Sequence, residues 1–223
     1  MLNLRVSLLA ICLSANLAIC GSQTMAQAPA AGDQQRKTSD PYKGDLSIFE
    51  SEGRDERLQI NRVMDLLGIT AGKGVADIGA GSGWFTVRAA KRVGVDGRVY
   101  AVDINAEATR FIEERARKEH LPNVKAILSQ PDDPGLPGSS VDAVLMLKTY
   151  HEVAHPVTLL RNLRASLRSG AKVGVIDRNG NGENHGVGSE VVIREAKEAG
   201  YRLAERYDFV KDGMDYFLVF TAE

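Results

Sequence analysis

The stretch Val75-Ala76-Asp77-Ile78-Gly79-Ala80-Gly81-Ser82-Gly83-Trp84-Phe85 constrains the fold more tightly than any other part of the chain. A short apolar run leads into glycines at three alternate positions, and a helix-like segment follows. Glycine lets the backbone turn through conformations a Cβ forbids and lets a ligand approach the main chain closely. A helix starting there offers free N–H groups and the positive end of its dipole to an anion such as a carboxylate. Taken alone, the segment is also compatible with a purely structural tight turn. The next apolar run, Val99-Tyr100-Ala101-Val102-Asp103, ends in an acid about 20 residues further on, where a carboxylate accepts hydrogen bonds from both hydroxyls of a ribose. Asp103 equally suits the capping of a helix from Asn105 onward. Strand, glycine turn, helix, strand and acid in this order point to a nucleoside site.

The same alternation runs through the rest of the chain. Strands are expected at Val75–Ile78, Arg98–Ile104, Val124–Leu128, Val141–Leu147, Lys172–Ile176, Arg202–Val210 and Tyr216–Thr221. Helices are expected at Arg57–Leu67, Trp84–Val93, Ala106–Glu119, Val157–Leu167 and Ser189–Ala199, where apolar residues recur at helical period. Alternating β and α with β-branched strands implies a mostly parallel sheet covered on both faces. Only Lys211–Asp215 separate the last two strands, too few for a parallel crossover. The sheet therefore ends in an antiparallel hairpin.

The glycine spacing separates the nucleoside cofactors. Dinucleotide sites usually carry Gly-x-Gly-x-x-Gly, whereas here Gly79, Gly81 and Gly83 follow Asp77 after one apolar residue. In this the chain resembles the class I S-adenosylmethionine-dependent methyltransferases, whose first motif has the form Asp-x-Gly-x-Gly-x-Gly. Asp132-Asp133-Pro134-Gly135-Leu136-Pro137, followed by Ser140–Val144, resembles the family's acidic turn and fourth strand. Tyr150-His151-Glu152 stands where the loop facing the methyl acceptor begins, and Ile193–Tyr201 resembles the last helix and its turn. The likeness runs from about Arg54 to Phe220. It is nearest to exported bacterial members with a Tyr-His-His element, in which Glu152 replaces the second His. The resemblance implies a Rossmann-like α/β fold with seven strands and S-adenosylmethionine as cofactor. It implies that Gly79, Gly81 and Gly83 line the methionine and ribose portion, and that Asp77 orients the loop or the cofactor's amino group. Asp103 would hold the ribose hydroxyls, Asp132 would reach the adenine amine, and Asp133 would supply a backbone donor. The Asp132–Pro137 stretch also suits an ordinary turn.

On the acceptor side, His151 is a candidate general base and Tyr150 a candidate lining of the sulfonium pocket. His151 also fits the role of a packed polar residue at a strand end. His151 and His155 are four apart and His185 is a further imidazole, but Pro156 disfavours helical geometry at His155. Leu147-Lys148 stand where metal-dependent catechol-type relatives place an acid, and Asp177 with Asn179 do not complete a ligand set. No metal is expected.

Composition bounds the partners. With 28 Lys and Arg against 29 Asp and Glu, scattered along the chain, a broad basic surface for nucleic acid is not expected. The expected partner is a small-molecule acceptor, with the oligomeric state left open. Met1–Arg5 is mildly basic, Val6–Cys20 almost wholly apolar, and Ala26-Gln27-Ala28 small at its ends. That order reads as a signal peptide over residues 1–28, followed by a flexible tether at 29–45 and the methyltransferase domain at 46–223. Export to the periplasm follows, without stable membrane insertion after cleavage; an uncleaved membrane anchor is the alternative. Both cysteines, Cys12 and Cys20, fall in the signal. A non-catalytic nucleoside-binding protein on the same fold and an NAD-dependent oxidoreductase are the competing functions.

Overall fold

The computed structural model describes residues 35–40, 42, 44–181 and 185–223. The expected signal peptide and the first part of the expected tether lie outside these residues.

Seven strands form one sheet: β1 (Gly74–Ile78), β2 (Arg98–Asp103), β3 (Val124–Leu128), β4 (Val141–Leu147), β5 (Leu167–Asp177), β6 (Tyr201–Tyr207) and β7 (Tyr216–Ala222). Their spatial order is β3-β2-β1-β4-β5-β7-β6. The first five run parallel, while β7 pairs antiparallel with both β5 and β6. The chain is thus a Rossmann-like mixed sheet ending in the antiparallel hairpin that the short 211–215 connection requires. Central placement explains why Tyr216–Phe220 are buried without alternation, since β7 has a strand on each side and helices above and below.

Helices cover both faces. One layer comprises α1 (Arg54–Leu58), α2 (Ile60–Leu66) and α3 (Trp84–Val93). Their Leu58, Val63, Trp84 and Phe85 pack on Val75, Val99, Leu145 and Phe217 of the sheet. The helix α4 (Ala106–Lys118) continues along β2 and β3, with Ile112 packed against Ala101. On the opposite face α5 (Pro156–Leu163) and α6 (Ser189–Glu198) bring Val157, Leu160 and Val192 onto Ala76, Val144, Val173 and Leu218. Neighbouring strand residues thus serve opposite layers, as the period of two demands. Where one helix was expected over Arg57–Leu67, two stand end to end, broken at Gln59 in the left-handed region (φ 49°).

Several ends follow local chemistry. Gly94, at φ 67°, ends α3, and the Asn123 amide donates to the Ala90 and Gly94 carbonyls beside it. The Asn105 side chain caps α4 by accepting from the Glu107 amide. Pro156 occupies the first turn of α5, where its missing N–H has no partner to lose. Because β1, β2, β4 and β5 are parallel, their carboxyl ends gather at one edge. The glycine turn, Asp103, Tyr150–Glu152 and Asp177 all emerge there.

Candidate functional site

The glycine turn leaves β1 with Gly79, Gly81 and Gly83 all at positive φ (73°, 55° and 75°). Each lies in the region a side chain disfavours, so the alternate spacing is a backbone requirement. The Gly79 and Ala80 amides donate to the Val102 carbonyl, and Gly83 is the N-cap of α3. No side chain caps α3, so its first amides face the same end of the sheet as the turn.

Asp103 closes the turn from β2. One carboxylate oxygen accepts from the Gly81 amide at 2.9 Å and the other from the Asn105 amide at 2.9 Å. Burial raises its pKa, opposed by these amides and that of Ile104. An ionised carboxylate has about four acceptor positions, so capacity remains for hydroxyls of a ribose. The structure shows Asp103 steadying the glycine turn and the start of α4, which leaves the ribose role compatible with the same carboxylate. We predict that Asp103→Ala weakens S-adenosylhomocysteine binding by about 2–3 kcal/mol, roughly 30- to 150-fold, through lost charge-assisted hydrogen bonds. Titration calorimetry reads this directly, and an unchanged affinity removes Asp103 from the site.

Asp77 is buried beneath the turn, accepting from the Thr86 hydroxyl of α3 at 2.6 Å. Desolvation, reinforced by Asp103, pushes its pKa up to about 7, against hydrogen bonds from Thr86 and the more distant Arg54 charge. Asp132 and Asp133 lie in the loop after β3, adjoining Asp103 through the Ser129 amide, which donates to the Asp103 carbonyl. The Asp132 carbonyl accepts from Asn162, and the Asp133 carboxylate folds back on the Gly135 amide. These contacts give the stretch the turn character its composition suggests.

The segment before α1 is part of the site, and the sequence did not suggest it. Arg36 makes two hydrogen bonds of 2.8 Å to the Glu195 carboxylate on α6 and donates to the Tyr150 carbonyl. The Ser39 amide and hydroxyl both donate to the Glu152 carboxylate. The Tyr42 carbonyl accepts from Asn105, and Glu50 accepts from the Ser82 hydroxyl within the glycine turn at 2.6 Å. Arg115 of α4 pairs with the same Glu50. The described residues of this stretch thus touch both the turn after β4, at Tyr150 and Glu152, and the glycine turn, at Ser82.

Tyr150 occupies a different place from the one its sequence position suggested. It is fully buried, packed among Leu160, Val175 and Val192, with its hydroxyl donating to Glu195 at 3.0 Å and Arg36 beside its ring. With its ring committed to the core, it is a packing residue and not a sulfonium-pocket wall. His151 fits the candidate role better. Asp177, at the end of β5 and 0% exposed, accepts from the His151 backbone amide and contacts ring Nδ1 at 2.9 Å. With Nδ1 against that carboxylate, Nε2 is presented on the other side of the ring. It faces Glu152, 3.6 Å away. Glu152 in turn contacts His185 Nδ1 at 3.0 Å. Burial raises the pKa of Glu152, but hydrogen bonds from Ser39 and His185 outweigh it and hold the group below its ordinary value. Glu152 and Asp177 are both noticeable in the sequence, but their pairing with His185 and His151 is not legible there, because the partners lie 33 and 26 residues apart.

Residues 75–170, from β1 into β5, match the family model for the methyltransferase domain. Aklanonic acid methyltransferase DauC of Streptomyces sp. (strain C5) is 29% identical over 119 residues, 53% of this chain and 50% of that protein. The chain spans about half the length of the curated relatives it matches. Among solved structures, a SAM-dependent methyltransferase from Aquifex aeolicus superposes with a TM-score of 0.71 at 24% identity, over 80% of this chain and 98% of that one. The [4+2]-cyclase SpnF superposes at 0.66 with 13% identity, over 85% and 86%. At these identities the likeness to solved structures concerns the fold. The sequence match and the geometry agree on the region: residues 75–170, which resemble the methyltransferase domain, carry the glycine turn and Asp103.

Proposed function

We propose that the chain is an S-adenosylmethionine-dependent methyltransferase acting on a small-molecule acceptor. The observation that carries this reading is the glycine turn at positive φ, closed by Asp103 and underlain by the buried Asp77. Such a cradle suits a nucleoside whose amino-acid end carries both a carboxylate and an ammonium group. The bound cofactor supplies an activated methyl, so the main task left to the protein is to align a nucleophile with it. Gly79, Gly81 and Gly83 allow close backbone approach. Asp103 accepts from ribose hydroxyls, and Asp77 offers its carboxylate to the ammonium group. His151, held through Nδ1 by Asp177, accepts a proton at Nε2 from an acceptor hydroxyl or amine. The 36–50 segment narrows access to this end of the sheet, which excludes water around the transfer.

The small-molecule acceptor rests on the near-neutral charge of the chain and on relatives such as aklanonic acid methyltransferase and 2-phytyl-1,4-naphtoquinone methyltransferase, both named for small acceptors. Among the described residues, no helix is long and apolar enough to cross a membrane. Export to the periplasm remains part of the proposal on the composition of residues 1–28 alone.

Titration calorimetry with S-adenosylhomocysteine, and with NAD in parallel, tests the reading. Saturable binding of the former alone is the expected result. Binding of NAD alone would instead assign an oxidoreductase, and binding of neither by a folded sample would remove the cofactor site.

A further inference from the structure

Beyond the nucleoside cradle, three potential ligand side chains meet at the acceptor end: His151, Glu152 and His185. Their ligand atoms all lie within 4.8 Å of one another. We propose that these three residues bind a divalent first-row transition ion, with zinc as the probe of choice. This departs from the sequence expectation of no metal, which considered His155 as the partner of His151. In the structure His155 precedes α5 at its N-cap, and the third ligand is a carboxylate from within the 150–152 turn.

Three features support the assignment. First, the separations suit an ion. Tetrahedral zinc with bonds of about 2.0–2.1 Å places its ligand atoms about 3.3 Å apart. His151 Nε2 and Glu152 Oε1 are 3.6 Å apart, and Glu152 Oε1 and His185 Nδ1 are 3.0 Å apart. The remaining edge, between the two imidazoles, is no longer than 4.8 Å, and the His185 side chain is 60% exposed.

Second, the outer contacts are those of oriented ligands. Asp177 contacts His151 Nδ1 at 2.9 Å and leaves Nε2 as the ligating atom, the arrangement carboxylates make behind metal-bound imidazoles. Ser39 donates twice to Glu152 and sets the direction of its carboxylate. Third, the backbone brings His185 to the others. The Val187 amide donates to the Arg178 carbonyl, Arg178 Nε donates to the His185 carbonyl, and Asn181 bridges Val187. The centroids of the two imidazole rings lie 6.2 Å apart.

Two imidazoles and one carboxylate leave at least one coordination position for a further ligand, as in open zinc sites and the non-haem iron triad. An oxygen or nitrogen of the acceptor can fill it. With an ion bound, Nε2 would be a ligand, so the base role proposed above belongs to the metal-free protein. The ion would instead lower the pKa of the coordinated acceptor, whose proton would leave to solvent. The metal thus deepens the acceptor side of the proposed methyltransferase, but its binding does not require the cofactor.

The untagged full chain, stripped with chelator and dialysed, is titrated with zinc alone by calorimetry, beside His185→Ala and Glu152→Gln. Circular dichroism checks that the two variants, altered at accessible side chains, keep their fold. One ion per chain is expected, with affinity falling at least 30-fold in each variant. Tetrahedral d–d absorption on loading with cobalt(II) is the expected spectroscopic signature. Absence of stoichiometric binding, or equal affinity in the folded variants, overturns the proposal. Titration with S-adenosylhomocysteine in the presence of chelator separates the two readings. Nucleoside binding without zinc binding removes only the metal, and zinc binding without nucleoside binding removes only the cofactor assignment.

Discussion

Gly79→Ala is expected to destabilise the protein by about 2–6 kcal/mol and to reduce S-adenosylhomocysteine affinity more than 100-fold. Two costs add. A non-glycine residue held in the left-handed region costs about 1–3 kcal/mol when its surroundings impose that conformation. The surroundings do impose it here, because the Gly79 and Ala80 amides are both bound to the Val102 carbonyl. The second cost is steric. A Cβ at residue 79 would overlap Cγ2 and Oγ1 of Thr149 and lie 2.8 Å from its Cβ. Thr149 is short and β-branched, and its hydroxyl is engaged with the Leu147 carbonyl at 3.1 Å, so it has little freedom to withdraw. Overpacking of this kind costs about 1–3 kcal/mol. Relief by displacing residues 79–83 would move the Gly81 amide off Asp103, which couples the strain to the binding edge. Gly81→Ala is the control. Its φ is also positive, but an added Cβ would meet only the Phe49 ring at 3.6 Å, leaving the backbone cost alone. Urea unfolding and nucleoside titration of both variants check the account. Equal losses at residues 79 and 81 would show that the contact with Thr149 carries no weight.

The contrast between Gly79 and Thr149 also shows which parts of the site are legible from sequence. The glycine turn and Asp103 are readable because a strand, a turn and a strand end carry their own local signals: apolar runs, glycine at alternate positions, and an acid at the end of a run. The parallel sheet and terminal hairpin follow from the same signals, since the short 211–215 connection excludes a parallel crossover. The break at Gln59 is not readable, because the apolar period continues across it and a glutamine gives no warning of positive φ. The acceptor end is harder still. Asp177 lies 26 residues beyond His151, while Ser39 precedes Glu152 by 113 residues. Such pairings depend on the order of strands β4 and β5 and on the path of the 36–50 segment. Tyr150 illustrates the reverse error. Its place beside His151 suggested a pocket residue, but in the 150–152 turn the two side chains diverge, one into the core beside α6 and one toward Asp177.

The second large effect is a pH-dependent gain in stability from Asp77→Asn. An aspartate in the unfolded chain titrates near 3.8, whereas burial raises Asp77 to about 7 in the folded state. Between these values the folded protein holds a proton that the unfolded chain has released, so stability falls as pH rises. At about 1.4 kcal/mol per unit, the loss accumulates to about 4 kcal/mol by pH 8. Below pH 4 both states are protonated and the penalty vanishes. Asparagine carries no charge at either pH, and its amide oxygen can still accept from the Thr86 hydroxyl. The variant should therefore match the parent near pH 4 and exceed it by about 2–4 kcal/mol at pH 8, as read by denaturant unfolding at both values. A difference independent of pH would mean that Asp77 does not titrate in this range. Nucleoside binding should move the opposite way. If the ionised carboxylate meets the cofactor's ammonium group, Asp77→Asn weakens S-adenosylhomocysteine most at pH 8, where the parent is charged. A variant that is both more stable and a weaker binder at pH 8 would place the cost of burying Asp77 in the service of the cofactor. Greater stability with unchanged binding would leave Asp77 only its contact with Thr86.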